Sequence, residues 1–165
     1  MIEADLWPRD AIPSDQDLTG IQELLQQLKS DAQEHLPSKE SLRSRLHSIA
    51  QNENTALLVL RDSERSNRII GMGTLHVWCT LAEGHKGFVD DIVVLDEGYR
   101  GFGLGNQITT TLVAVTQNTE LAKIRLTSNK NNPERSAAIK LYQKLGFREA
   151  GTTLWELDLQ NAKQD

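Results

Sequence analysis

Two groups of residues in this chain could do chemistry. The first is a glycine-rich turn, Arg100-Gly101-Phe102-Gly103-Leu104-Gly105, followed by a helix-like run from Asn106. Before it come an apolar run, Phe88 to Leu95, and a polar turn, Asp96-Glu97-Gly98. Strand, glycine turn and helix in that order can hold phosphate. Glycines let backbone N–H groups approach an anion, and a helix start adds partial positive charge. The spacing is R-x-x-G-x-G. It lacks the Lys-Ser/Thr of a nucleoside-triphosphate loop, and Asn106 stands where a dinucleotide fingerprint has its third glycine. The second group is Asp90 and Asp91, adjacent carboxylates inside the apolar run. Strand alternation sends their side chains to opposite faces, so one of the two can face a cleft and take a proton there.

The rest of the chain must position these groups. Its 165 residues suffice for one domain with a core, and 38% apolar with 25% charged residues is ordinary for a soluble globular protein. A net charge of −5 disfavours a nucleic-acid partner. Cys79 is the only cysteine, which rules out an internal disulfide and a cysteine-rich zinc site. It reads as a small strand residue of the kind usually buried. His35 and His47 are too isolated for a metal site, and no metal is expected. No apolar run is long enough for a membrane helix, and MIEADLWPRD lacks the regions of a signal peptide. A cytoplasmic location without membrane contact is the expectation.

Met1 to Leu6 reads as a short first strand, broken off by Pro8 and Pro13. Ser14-x-x-Asp17 reads as a helix start, with Leu18, Ile21, Leu25 and Leu28 as its apolar stripe. A second helix follows from Ser38, with Leu42, Leu46 and Ile49 inward. Strands are expected over 55–60, 69–79 and 88–95, with the polar Arg61 to Arg68 as a hairpin loop. Gly71 and Gly73 inside the second of these strands point to a bulge or a close approach. The helix from Asn106 contains Thr109-Thr110-Thr111, poor helix formers, so packing must supply it. A strand over 123–128 precedes Asn132-Pro133, a helix start whose helix ends at Gly146. Thr152 to Leu159 reads as a last strand carrying Trp155. One domain over residues 1–165 follows. Its class is α/β (α+β), with a mixed, mostly antiparallel sheet of six or seven strands and about four helices.

The spacing R-x-x-G-x-G resembles the pyrophosphate-binding signature of the GNAT superfamily of N-acetyltransferases. A second element agrees. Leu141-Tyr142-Gln143-Lys144-Leu145-Gly146-Phe147 is similar to the L-Y-x-K-x-G-F end of that superfamily's last core helix, and Arg135-Ser136-Ala137-Ala138 precedes it as in one subgroup. The chain departs from the pattern twice. Arg135 stands where many members carry Asn, for which Asn131 or Asn132 is an alternative, and Val94 lies six residues before Arg100 where five is common.

The resemblance implies acetyl transfer from acetyl-CoA to a primary amine, small molecule or peptide, by a monomer or homodimer. It implies a central splay, in which the strand with Ile92, Val93 and Val94 leaves its neighbour and offers backbone groups to the pantetheine amides. Gly101, Phe102, Gly103, Leu104, Gly105 and Asn106 would cradle the pyrophosphate, with Arg100 adding charge and Leu104 packing inward. Asn131 and Arg135 would lie along the cofactor. The amine must be neutral to attack, so a base is needed; Asp90 is favoured over Asp91 because similar proteins often carry an acid there. Tyr142 would protonate the departing thiolate. Trp78, the loop Thr80 to His85, the segment His35 to Ser38 and Trp155 are the expected acceptor walls, with His76 and His85 as other proton carriers. Two other readings stay open: transfer from another acyl-CoA, and a CoA-binding or sensory module without turnover.

Overall fold

A computed structural model describes residues 1–28, 36–116 and 120–153, the Glu134 side chain apart. The described residues form five strands and four α-helices. Strand β1 (Ile2–Leu6) leads to helices α1 (Asp15–Leu28) and α2 (Lys39–Gln51). Strands β2 (Thr55–Asp62), β3 (Arg68–Thr80) and β4 (Gly84–Val94) follow as an antiparallel meander. Helix α3 (Leu104–Val115) connects β4 to a parallel neighbour, β5 (Leu121–Leu126). A 3-10 turn, Pro133–Arg135, opens α4 (Ser136–Lys144). The sheet order is β1-β2-β3-β4-β5, five strands among the described residues against the six or seven expected. The expected last strand, with Trp155, lies outside the described residues from position 154 on.

Local chemistry explains the helix starts. The Ser14 hydroxyl accepts the Asp17 N–H at 3.1 Å, while the Asp17 carboxylate accepts the Ser14 N–H at 3.0 Å. This is a capping box closed by Asp instead of Glu. Ser38 caps α2 through the Ser41 N–H at 3.1 Å. In α3 two threonine hydroxyls find partners inside the helix. Thr109 and Thr110 each donate to the carbonyl one turn back, on Gly105 and Asn106, at 2.8 Å.

Leu57 to Leu60 and Ile69 to Leu75 are buried without interruption, so both sheet faces are covered there. Helix α1 supplies Leu18, Ile21 and Leu24; α3 supplies Ile108 and Leu112. Each such buried aliphatic side chain stabilises the fold by roughly 1.5–3 kcal/mol. Helix α3 comes close because β3 has glycine beneath it. A Cβ on Gly73 would stand 2.7 Å from Ile108 Cγ2 and 3.0 Å from Leu112 Cδ1. Cys79 does not follow its expected burial. It is exposed near the far end of the β3–β4 hairpin.

Candidate active site

Strand β4 pairs with β5 from His85↔Leu121 to Val89↔Leu126 and no further. Beyond that point, among the described strands, it pairs only with β3, through Gly71↔Val94. This is the expected splay. Asp90, Asp91, Ile92, Val93 and Val94 therefore border a gap with one strand edge open, and Val93 is buried while Ile92 and Val94 are half-buried.

The same stretch contains a bulge. Met72 pairs with Val93 and Thr74 with Asp90, so Gly73 faces two residues, Asp91 and Ile92. Asp91 takes φ +52°, a left-handed conformation that costs a non-glycine residue roughly 1–2 kcal/mol. Asp91 and Ile92 are the two bulged residues, and Asp90 precedes them. Asp90 is exposed, and its carboxylate accepts the Asp91 N–H at 3.0 Å. Asp91 is half-buried. Burial, then the Asp90 charge, pushes its carboxyl above the ordinary range, while nearby His76 pulls it partly back. His76 itself shares a 3.2 Å hydrogen bond with the Thr55 hydroxyl.

The glycine turn sits past the end of β4. Gly98, Gly101 and Gly103 have φ of +79°, +86° and +76°, and a Cβ at any of them would meet nothing within 4 Å. Left-handed backbone is why these positions suit glycine. Gly103 is the N-cap of α3 and has no side chain to satisfy the first N–H groups. The helix start is thus open to an anion. Leu104 packs inward as expected, while Phe102 is largely exposed and Asn106 is exposed. Arg100 is exposed and forms an ion pair with Asp96 at 2.8 Å.

Helix α4 brings Tyr142 to the same end. Its neighbour Leu141 comes within 3.6 Å of where a Gly105 Cβ would be, in the first turn of α3. The half-buried Tyr142 ring packs edge-on against Phe147, centroids 6.1 Å apart. Among the described residues its hydroxyl makes no hydrogen bond. Burial raises the phenol above its usual range, and Arg135 pulls it partly back. Arg135 itself donates to the Leu28 carbonyl at 2.9 Å, which ties α4 to the end of α1. Asn131 is exposed, with its N–H on the Asn129 side chain at 3.0 Å.

On the other side of the bulge, paired positions place His76, Trp78, Lys86, Phe88, Lys123 and Arg125 on one face. Trp78 and Phe88 stand 6.3 Å apart, ring to ring. Glu83, in the hairpin turn, binds Lys86 and Lys123 closely and lies 3.8 Å from Arg125. Lys123 and then Lys86 hold its carboxyl down at about 2. His85 is exposed.

Two supports of the site carry no motif that a sequence reading could find. Tyr99 is buried between the exposed Gly98 and Arg100, and its hydroxyl donates to buried Asp62 at 2.6 Å. Gln27, in the last turn of α1, bonds the end of β4. The only local signal was an aromatic residue inside a polar turn.

The described residues thus form an open-sheet α+β domain in which a parallel strand pair splays beside an uncapped helix start. The profile of the acetyltransferase (GNAT) family matches residues 19–147, and this chain belongs to that family. No curated protein matches it. Its fold is similar to that of an acetyltransferase from Trypanosoma brucei, with a TM-score of 0.72 and 24% identity over 96% of this chain and 100% of the other. Glucosamine-6-phosphate N-acetyltransferase from Arabidopsis thaliana gives 0.72 and 19%, over 95% and 98%. A predicted acetyltransferase with acetyl-CoA from Clostridium acetobutylicum gives 0.69 and 18%, over 98% of each chain.

Proposed function

We propose that this protein transfers an acetyl group from acetyl-CoA to a primary amine by direct attack with both substrates bound. The observation that carries this reading is the end of β4–β5 pairing at Val89↔Leu126 beside the uncapped start of α3. A strand edge without a strand fits an amide-bearing arm, and left-handed glycines with empty Cβ positions fit a pyrophosphate. Family membership and a fold similar to that of a protein solved with acetyl-CoA agree with it.

In this reading Gly101 to Asn106 bind the pyrophosphate through backbone N–H groups, with Arg100 released from Asp96 to face it. Ile92, Val93 and Val94 align the pantetheine arm, while Asn131 and Arg135 lie beside it. Acetyl-CoA supplies an activated thioester carbonyl. The acceptor arrives as an ammonium and must lose a proton before it can attack. Asp91 suits that step better than Asp90, because half-burial and a raised proton affinity make it a stronger base near neutral pH. Backbone N–H groups at the bulge meet the charge that develops on the carbonyl oxygen. Tyr142, neutral at working pH, donates its proton to the sulfur as the carbon–sulfur bond breaks. The nitrogen loses its second proton as the intermediate collapses, which restores the Tyr142 phenol, and the proton on Asp91 leaves to solvent; the products are an amide and free CoA thiol.

The test is thiol release from acetyl-CoA over a panel of amines, with CoA binding measured by calorimetry. Release that needs both substrates supports transfer. CoA binding with no release for any amine would make the chain a binding module instead.

A further inference from the structure

Gln27 sits where no sequence motif points. Its side-chain N–H donates to the Val94 carbonyl at 3.2 Å, and its side-chain oxygen accepts the Asp96 N–H at 2.9 Å. The direction of these groups matters. The Leu95 N–H bonds Ile70 O on β3 at 2.8 Å. In a trans peptide the carbonyl points opposite to the following N–H, so the Val94 carbonyl faces away from β3. Extended backbone turns the Asp96 N–H the same way. Both groups therefore lie on the other edge of β4, the edge that β5 leaves after Val89.

The pattern is that of a parallel strand. There, one residue donates to a carbonyl and accepts from an N–H two residues further along the neighbour. The Gln27 carboxamide does this opposite Leu95. The open edge is thus bounded at both ends, by the Val89↔Leu126 pair and by Gln27. Between them lie Asp90 to Val94, five residues that include the bulge at Asp91 and Ile92. Gln27 also fixes the residue from which the glycine turn departs, since Asp96 pairs with Arg100 at 2.8 Å.

We infer that Gln27 is a positioning residue for acetyl-CoA. It closes the cofactor edge of β4 with a side-chain amide and so holds the edge and the glycine turn in the register that the cofactor's own amides require. This rests on the acetyl-CoA reading above. Gln27 makes its bonds from α1, so the first helix helps to shape a site whose motifs all lie after residue 87.

The test is Gln27→Leu, which keeps size and helix preference and removes both bonds; Gln27→Ala is the second variant should leucine promote association. The acetyl-CoA KM and the CoA Kd rise about tenfold, as two neutral hydrogen bonds would give, and kcat at saturation stays within about twofold. Hydrogen exchange supplies a local readout. The Asp96 amide exchanges faster in the variant, while the Leu95 amide, bonded to the other edge, keeps its protection. Unchanged KM and Kd alongside faster Asp96 exchange overturn the inference, leaving Gln27 a tie between α1 and β4. Tighter CoA binding also overturns it, since Gln27 would then be a placeholder that the cofactor displaces. If the wild-type protein does not bind CoA at all, the acetyl-CoA reading and this inference fall together.

Discussion

The Tyr99 hydroxyl donates to the Asp62 carboxylate at 2.6 Å, with both residues buried. Tyr99 is the one buried side chain between Asp96 and Gly103, so this bond pins an otherwise exposed turn to the end of β2. The Arg65 guanidinium lies over the Tyr99 ring at 5.5 Å and braces the same anchor. Tyr99→Phe keeps the ring and loses the bond. We predict a lower melting temperature and a severalfold higher acetyl-CoA KM with little change in kcat. The pH dependence has a definite sign. The Tyr99 bond, more than any other group, lowers the Asp62 carboxyl from its ordinary range. A lowered folded value contributes stability above the unfolded value, and this is lost as pH falls below about 4. Acid unfolding of Tyr99→Phe should therefore begin at higher pH than in the wild type. Coincident acid unfolding curves would remove Asp62 from this account.

Gly103→Asp separates loop charge from loop shape. A Cβ there meets nothing, so the fold should survive with a loss of roughly 1 kcal/mol for a left-handed non-glycine residue. The added carboxylate faces the expected pyrophosphate, and CoA binding should nearly vanish. Gly103→Asn carries the same backbone cost without the charge and should bind CoA far better than Gly103→Asp. Calorimetry on the two variants decides it; equal affinities would move the phosphate away from this turn.

Asp91→Asn should slow turnover more than Asp90→Asn, reversing the preference that the family resemblance implies. Asp91 must be ionised to accept a proton. Its raised proton affinity places the acid limb of the rate profile above the ordinary aspartate range, with rate rising as pH rises through it. In Asp91→Asn that limb should disappear, leaving only the titration of the amine. An unchanged limb would assign the proton to water or to His76.

Tyr142→Phe removes a hydroxyl that has no hydrogen-bond partner among the described residues, so stability should hardly change. CoA binding should persist, and kcat should fall about 10–10³-fold, within the range of general acid catalysis and its shortfall for a good leaving group. Burial keeps the phenol protonated through neutral pH, so the loss should be flat from pH 6 to about 9. Full activity at wild-type stability would reduce Tyr142 to a packing residue.

What the sequence determined by itself is what short range decides. The Ser14 and Ser38 caps, the helical stripes and the left-handed glycines are local events, and R-x-x-G-x-G with L-Y-x-K-x-G-F named the family from residues that touch substrate-sized neighbourhoods. Gly73 could be read as a bulge or a close approach, and it is both: it faces Asp91 and Ile92 and lies under Ile108. Only the tertiary structure decided which strand holds the extra residue. A bulge is set by the pairing of two strands, and nothing in either strand alone fixes it. That choice put Asp91, not Asp90, in the half-buried position. Tertiary packing also ended β4–β5 pairing at Val89, left Cys79 exposed and sent Arg135 to the Leu28 carbonyl. Gln27 and Asp62 became part of the site for the same reason. Their partners lie 67, 69 and 37 residues away, and contacts over such distances leave no spacing in the chain to read.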